Sequence, residues 1–170
     1  MLREEELKTF VDGTTRYFEV AAQQPASIGS PYLLEGEPAM HDYTGMINVS
    51  GKREGVVYFT APRAMLTVLL MKMQESDFSH ESMRDLVGEV ANTISGNARR
   101  DFGHDFVISV PSVFAGEKPQ INQPAGARAF VIPIHWRSHS AKLVVSLTCP
   151  ARFTAARCPR RAAGSRGPPR

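Results

Sequence analysis

The chain has 170 residues, of which 42% are hydrophobic, and a formal net charge of +3. This is the length of one domain with its own core. The longest apolar run, residues 65–71, is far shorter than the roughly 20 residues that a membrane-spanning helix needs, and the first residues, MLREEELK, do not have the pattern of a secretion signal. We therefore expect a soluble, cytoplasmic protein with no membrane contact.

The positive charge is concentrated at the C-terminal end of the chain. From Cys149 onward there are six arginines and no acidic residue, so removing these six charges from +3 leaves −3 for residues 1–148. Residues 149–170 are also rich in proline and have no apolar period. We predict one mildly acidic domain over 1–148 and a disordered basic tail over 149–170.

The apolar pattern predicts helices and strands in a mixed order. Apolar residues at helical spacing indicate helices, and short β-branched or alternating segments indicate strands. In chain order we predict a helix over 2–22, strands over 32–35, 43–49 and 55–60, helices over 62–73 and 81–102, and strands over 106–110, 129–136 and 141–148, with a Pro/Gly-rich loop over 111–126. Hairpin-length links favour antiparallel pairing, so the predicted fold class is α+β, an antiparallel sheet packed with long helices.

The predicted helix over 81–102 has a polar face that is unusual for a helix. At about 100° per residue, its apolar residues share one narrow arc (Met83, Val87, Ala91, Ile94 and Ala98), and Asp85, Glu89, Asn92 and Gly96 lie opposite. Glu89 and Asn92 are three residues apart and therefore adjacent on the surface. An isolated Glu-x-x-Asn pattern usually marks only a solvated face. Here Asn92 and Gly96 lower the stability of the helix, and no packing interaction visible in the sequence offsets this cost. Gly96 also leaves room for another molecule, which suggests a contact surface.

The segment DLVGEVANTISGNARRDFG, residues 85–103, resembles the signature helix of the CheX-type phosphatases, in the CheC/CheX/FliY family of bacterial chemotaxis proteins. The matching positions are Gly88, Glu89, Asn92, Ser95, Gly96 and Asn97. The predicted element order is also similar to that of the family. One such Glu-Asn pair is found, as in CheX, whereas CheC typically has two.

The resemblance implies a phosphatase that acts on the phosphorylated response regulator CheY, with Glu89 and Asn92 as the catalytic residues. Hydrolysis of an aspartyl phosphate requires a water held in line with phosphorus, and the neutral amide of Asn92 can accept a hydrogen bond from that water without repelling the phosphoryl group. Glu89 would pair with a lysine of the regulator. We expect Asp85, Gly88 and Gly96 to contribute to the partner contact.

The resemblance also implies a homodimer formed by strand pairing, with the strands after the signature helix as candidates. We expect no metal or cofactor in this chain, since Mg²⁺ would belong to the regulator. Cys149 and Cys158 match no common zinc spacing, and His135 and His139, if they share one strand, would be about 13 Å apart.

Two alternatives to catalysis remain open from the sequence. The first is a non-catalytic adaptor or flagellar-switch-like module that binds a receiver domain through the same helix face. The second is nucleic-acid binding through the arginine-rich tail, which the acidic domain disfavours.

Overall fold

The computed structural model of the chain describes residues 2–118, 120–121 and 123–150. In chain order their elements are α1 (Glu4–Val20), β1 (Ser27–Ile28), β2 (Tyr32–Leu33), β3 (Tyr43–Gly51), β4 (Glu54–Ala61), α2 (Arg63–Lys72), α3 (His80–Phe102), β5 (Phe106–Ile108), β6 (Ser112–Ala115), β7 (Ala129–Trp136) and β8 (His139–Thr148). None of these helices is long and apolar enough to cross a bilayer. From residue 151 onward, the predicted tail lies outside the described residues.

The strands form one antiparallel sheet in the order β1, β7, β8, β4, β3, β5. The short strand β2 also pairs with β7, and β6 pairs with β3 alongside β5. The last strand, β8, lies in the interior of the sheet because β7 and β4 occupy its two sides. The predicted α+β fold with an antiparallel sheet is confirmed.

The helices pack on one face of this sheet and enclose the main core. All five apolar residues that the sequence places on one arc of α3 are fully buried there, namely Met83, Val87, Ala91, Ile94 and Ala98. Trp136 lies in the same core and its indole Nε1–H donates to the carbonyl of Gln24, at 3.1 Å, which ties the segment after α1 to β7. Helix α3 is therefore held along its whole length on its apolar side.

The opposite face of the sheet carries a second, smaller apolar cluster. Side chains alternate between the two faces along each strand, so Val57 and Phe59 join the main core while Val56 and Tyr58 join the second cluster. Loop and edge residues cover this cluster (Leu34, Met40, Phe114 and Ile121). The sheet is thus apolar on both faces, and α1, α2 and α3 all lie on one of them.

Two strands are absent from the sequence-based prediction, and two, β2 and β5, are shorter than predicted. Strand β6 lies inside the predicted loop over 111–126, and β1 lies before the first predicted strand. Both have four residues or fewer, which is too short for an alternating pattern to be recognised. Strand β5 ends at Ile108 rather than at residue 110, just before Pro111, which has no N–H to donate to a ladder.

His135 and His139 do not share a strand, so the premise of that prediction is wrong. They lie on opposite strands of the β7–β8 hairpin, where His135 pairs with Ser140 and Trp136 pairs with His139. The hairpin closes at Arg137, whose φ is +56°. His135 Nδ1 is hydrogen-bonded to Ser140 Oγ at 3.0 Å. Within the described ranges, no group of three or more His, Cys, Asp or Glu residues is arranged to hold a metal ion.

Candidate functional site

Both ends of α3 are fixed by local interactions. At the N-terminus, Ser79 is the N-cap and its hydroxyl accepts a hydrogen bond from the backbone N–H of Ser82 at 3.2 Å. Asp77 accepts from both serines, which holds the pKa of its carboxyl below the usual range. At the C-terminus, Gly103 adopts a φ of +90°, a conformation that favours glycine. These caps stabilise a 23-residue helix that can serve as a rigid support.

Glu89 and Asn92 lie side by side on the exposed face of α3. Both side chains are exposed, as is Asp85, and Gly96 is half-buried. Residues three apart on a helix place their Cβ atoms about 5–6 Å from each other. In the described part of the chain, no side-chain hydrogen bond or ion pair engages Glu89 or Asn92. The carboxylate and the amide are therefore both available to a partner.

The predicted partner contact of Gly88 is not supported by its position, which is buried. A Cβ atom at Gly88 would lie 3.0 Å from Val113 Cγ2 and 3.5 Å from Pro111 Cβ. Gly88 is therefore a packing residue, because its missing side chain lets α3 lie directly against β6 and the segment before it. Gly96 differs, since a Cβ there would meet no atom of the described residues within 4 Å. Asp85 and Gly96 remain on the accessible face, and Gly88 does not.

Helix α3 also approaches the sheet backbone closely at Gly45, in the middle of β3. A Cβ atom at Gly45 would lie only 2.2 Å from the carbonyl oxygen of Val87 and 2.9 Å from the backbone nitrogen of Gly88. Only glycine fits this contact, so Gly45 sets the depth at which α3 sits on β3. Because Glu89 and Asn92 come directly after Val87 and Gly88 on α3, the contact with Gly45 also determines how far their side chains extend from the surface of the domain.

An acidic groove lies next to Glu89, between the end of α2 and the first half of α3. Its floor is apolar and includes Leu70 and Met73, and its rim carries four carboxylates, those of Glu75, Asp77, Asp85 and Glu89. Four carboxylates around one groove attract a cationic group. A larger groove lies elsewhere, along the first half of α1 next to Pro31, and includes neither Glu89 nor Asn92. The site around Glu89 and Asn92 is thus an exposed helix face with a shallow groove, a shape that suits a protein partner better than a small molecule.

Helix α1 lies antiparallel to α3 and forms one side of the site. The rings of Phe10 and Phe102 are 5.9 Å apart, and a Cβ at Gly13 would lie 3.6 Å from the carbonyl oxygen of Ile94. One turn further along α1, the buried Tyr17 reaches the part of α3 that carries Glu89. Burial, together with the negative charge of Glu89, raises the pKa of Tyr17.

Sequence reasoning missed Gly45, Tyr17 and the groove residues Glu75 and Asp77. A glycine inside a strand pattern signals close backbone approach, so Gly45 could have been found from that rule. Nothing in the sequence distinguishes Tyr17 from other apolar-face residues of α1. Glu75 and Asp77 are in the link before α3, and only the folded chain brings them beside Glu89.

Several solved structures have the same fold as this chain. A CheC-like superfamily protein from Shewanella sp. PV-4 is 23% identical with a TM-score of 0.76, covering 86% of this chain and 99% of its own. The chemotaxis protein CheX from Desulfovibrio desulfuricans is 24% identical with a TM-score of 0.73, covering 86% and 99%. The CheX–CheY–BeF₃–Mg²⁺ complex from Borrelia burgdorferi matches at 20% identity and a TM-score of 0.67, covering 85% and 99%. No curated protein sequence matches the chain significantly.

The sequence profile of the family described as chemotaxis phosphatase CheX matches residues 43–135. This range begins at β3, contains all of α3 with Glu89 and Asn92, and ends in β7. It covers more than half of the 170 residues. The chain therefore belongs to the CheX family of chemotaxis phosphatases.

Proposed function

We propose that this protein is a cytoplasmic phosphatase that hydrolyses the aspartyl phosphate of a CheY-type response regulator, in chemotaxis or a related two-component pathway. The observation that carries the proposal is the position of Glu89 and Asn92, both exposed on adjacent turns of a helix whose other face is fully packed. A rigid helix that presents two polar groups can reach into a partner's active site without being ordered on binding. Family membership and the CheY-bound relative support the same partner class.

In the proposed reaction, Asn92 orients the attacking water. Its side-chain carbonyl accepts a hydrogen bond from a water in line with the phosphorus, and water then attacks as the bond from phosphorus to the aspartyl oxygen breaks. The products are inorganic phosphate and a free aspartate carboxylate on the regulator. The developing charge is stabilised by Mg²⁺, which we place on the regulator, and the amide itself adds no negative charge beside the phosphoryl group.

Glu89 is the proposed anchor of the helix in the partner. It lies on the rim of the acidic groove, so a lysine next to the regulator's phosphorylation site would meet Glu89 directly, with Asp85 nearby. A lysine–carboxylate pair that closes away from water is stronger than an exposed one. Gly96, one turn beyond Asn92, leaves space in which the partner's backbone can approach the helix.

The test is the decay of a phosphorylated CheY-type regulator, with Mg²⁺, in the presence of each variant. We expect Asn92→Ala to lower kcat about a hundredfold because water is no longer held in line, while affinity for the regulator is retained. Glu89→Ala should instead raise KM about ten- to a hundredfold through loss of a charge-assisted contact.

Two exposed residues on the other face of the sheet provide matched controls. Asn48 and Glu54 are both exposed. Asn48 alternates with Ile47 and Val49 of the main core, and Glu54 shares its strand face with Val56 of the second cluster, so both point away from the helices. Asn48→Ala and Glu54→Ala remove the same chemical groups as the site variants and should leave decay unchanged. If wild-type protein binds the regulator but does not speed its decay, the phosphatase proposal is wrong and the adaptor becomes the better account.

We also propose a homodimer formed through a sheet edge. Among the strands after α3, β8 is interior, and β7 is paired on both sides by β8 and by β1 and β2. Within the described chain, β5 and β6 pair only with β3, and Val107 and Val110 near this edge are 48% and 84% exposed. An unpaired edge with apolar residues favours pairing with another chain. Light scattering after size exclusion should give twice the monomer mass, and Val110→Lys should lower it.

A further inference from the structure

The hydroxyl of Tyr17 is a buried polar group that makes no hydrogen bond to any described residue. Tyr17 is only 5% exposed, and its hydroxyl oxygen is buried. Buried polar groups are normally paired, because leaving one unpaired costs free energy. Phenylalanine would fill the same space without that cost. Packing therefore does not explain why this position has a tyrosine hydroxyl.

The packing of α1 against α3 brings this hydroxyl to the turn that carries Glu89. The two helices are antiparallel, since Phe10 meets Phe102 while Gly13 meets Ile94. Gly13 has no side chain, so the helix axes approach closely there. Four residues further along α1 is one turn, which places Tyr17 one turn nearer the N-terminus of α3 than Ile94.

The charge of Glu89 acts on the Tyr17 hydroxyl, although the two groups are not hydrogen-bonded in this structure. After burial, the Glu89 carboxylate is the second cause that raises the pKa of Tyr17, so the phenol keeps its proton. A protonated phenol is a donor. The Glu89 side chain has three rotatable bonds and is exposed, so its carboxylate can turn toward α1 when a partner covers the helix face.

We propose that Tyr17 is a positioning residue for Glu89: when a partner excludes water from the helix face, the Tyr17 hydroxyl donates a hydrogen bond to the Glu89 carboxylate and fixes its direction. One carboxylate oxygen then accepts from Tyr17, and the other remains for the partner's cation. The unpaired hydroxyl of the free protein becomes paired only in the complex. Complex formation thereby gains a contact that the free protein does not have.

The inference rests on the proposed function for the identity of the partner, and its test uses affinity so that it does not depend on turnover. The dissociation constant for a beryllofluoride-loaded CheY-type regulator is measured for wild type, Tyr17→Phe, Glu89→Ala and the double variant. We expect Tyr17→Phe to weaken binding about two- to tenfold, the usual worth of one hydrogen bond. In the Glu89→Ala background, Tyr17→Phe should have no further effect, because the acceptor is gone.

Thermal unfolding separates the proposed role of the hydroxyl from a structural one. We expect Tyr17→Phe to unfold at an unchanged or higher temperature, since the variant removes an unpaired buried group, whereas a structural role predicts a lower temperature. Tyr58 is a matched control because its side chain is also buried but lies in the cluster on the other face of the sheet, so Tyr58→Phe should leave affinity unchanged.

The outcomes separate this inference from the proposed function. Equal weakening by Tyr17→Phe in both backgrounds, or wild-type affinity in Tyr17→Phe while Glu89→Ala binds weakly, overturns the role of Tyr17 alone. Normal binding by wild type without faster decay of the phosphorylated regulator overturns the phosphatase proposal alone. In that case the coupling between Tyr17 and Glu89 is still read from the four dissociation constants.

Discussion

Gly45→Ala is the substitution that most directly tests how the fold positions the site. The new Cβ would lie 2.2 Å from the Val87 carbonyl oxygen and 2.5 Å from its carbonyl carbon. Because carbon atoms make favourable contacts at about 3.5–4.0 Å, α3 must move outward by roughly 1 Å or β3 must bend. Both contacting atoms belong to backbone, so no side-chain rotation relieves the clash. Overpacking of this kind costs about 1–3 kcal/mol, and we expect the upper end.

Urea unfolding followed by tryptophan fluorescence measures this cost. Trp136 is the single tryptophan and is fully buried in the core beneath the helices, so its emission reports loss of the packed state. With a slope of about 2 kcal/mol per molar urea for a domain of this size, a loss of about 3 kcal/mol lowers the midpoint by about 1.5 M. The displaced helix should also reduce phosphatase activity in the protein that remains folded. A midpoint equal to that of wild type would refute the close contact between α3 and β3.

Three further predictions concern other parts of the molecule. Gly96→Ala should stabilise the protein by about 0.5–1 kcal/mol in urea unfolding, since the added methyl meets no described atom within 4 Å. The same variant should raise KM for the regulator if the partner approaches the helix there. Lower stability would contradict the open space at this position. Burial raises the pKa of Glu6, but the Arg3 backbone N–H and the Arg53 guanidinium outweigh it and hold that pKa below 4.5. The ion pair with Arg53 therefore contributes fully above about pH 4.5 and is lost as the pH falls through the lower folded pKa. The urea midpoint of wild type should thus fall more steeply as the pH is lowered than that of Glu6→Gln. At neutral pH, Glu6→Gln should be about 3 kcal/mol less stable than wild type, because Arg53 stays buried without its charged partner. Parallel pH profiles would exclude the ion pair as the cause of the loss of stability in acid. Removal of residues 151–170 should leave regulator decay unchanged, because the site lies on α3; loss of decay would assign the tail a part in the activity.

The sequence was sufficient for the elements whose local pattern is long and regular. The 23-residue helix α3 has a continuous apolar stripe, a serine N-cap and a terminal glycine, so its two faces follow from the period and its ends from the capping residues. The exposure of Glu89 and Asn92 follows from the same period. The resemblance of residues 85–103 to a family signature then identified which exposed pair to consider, a choice that periodicity does not make.

Other features depend on contacts between residues that are distant in the chain, so no local sequence pattern predicts them. Gly88 lies in the signature segment like Glu89, but its neighbours across the fold, Pro111 and Val113, make it a packing residue rather than a partner contact. The acidic groove arises where the end of α2 meets α3, and Tyr17 comes near Glu89 because α1 packs against α3. The helix and the polar groups on its exposed face could be predicted from the sequence, because both are set by spacing within one segment. The depth at which that helix sits, and the groups that surround its active face, were decided by long-range packing.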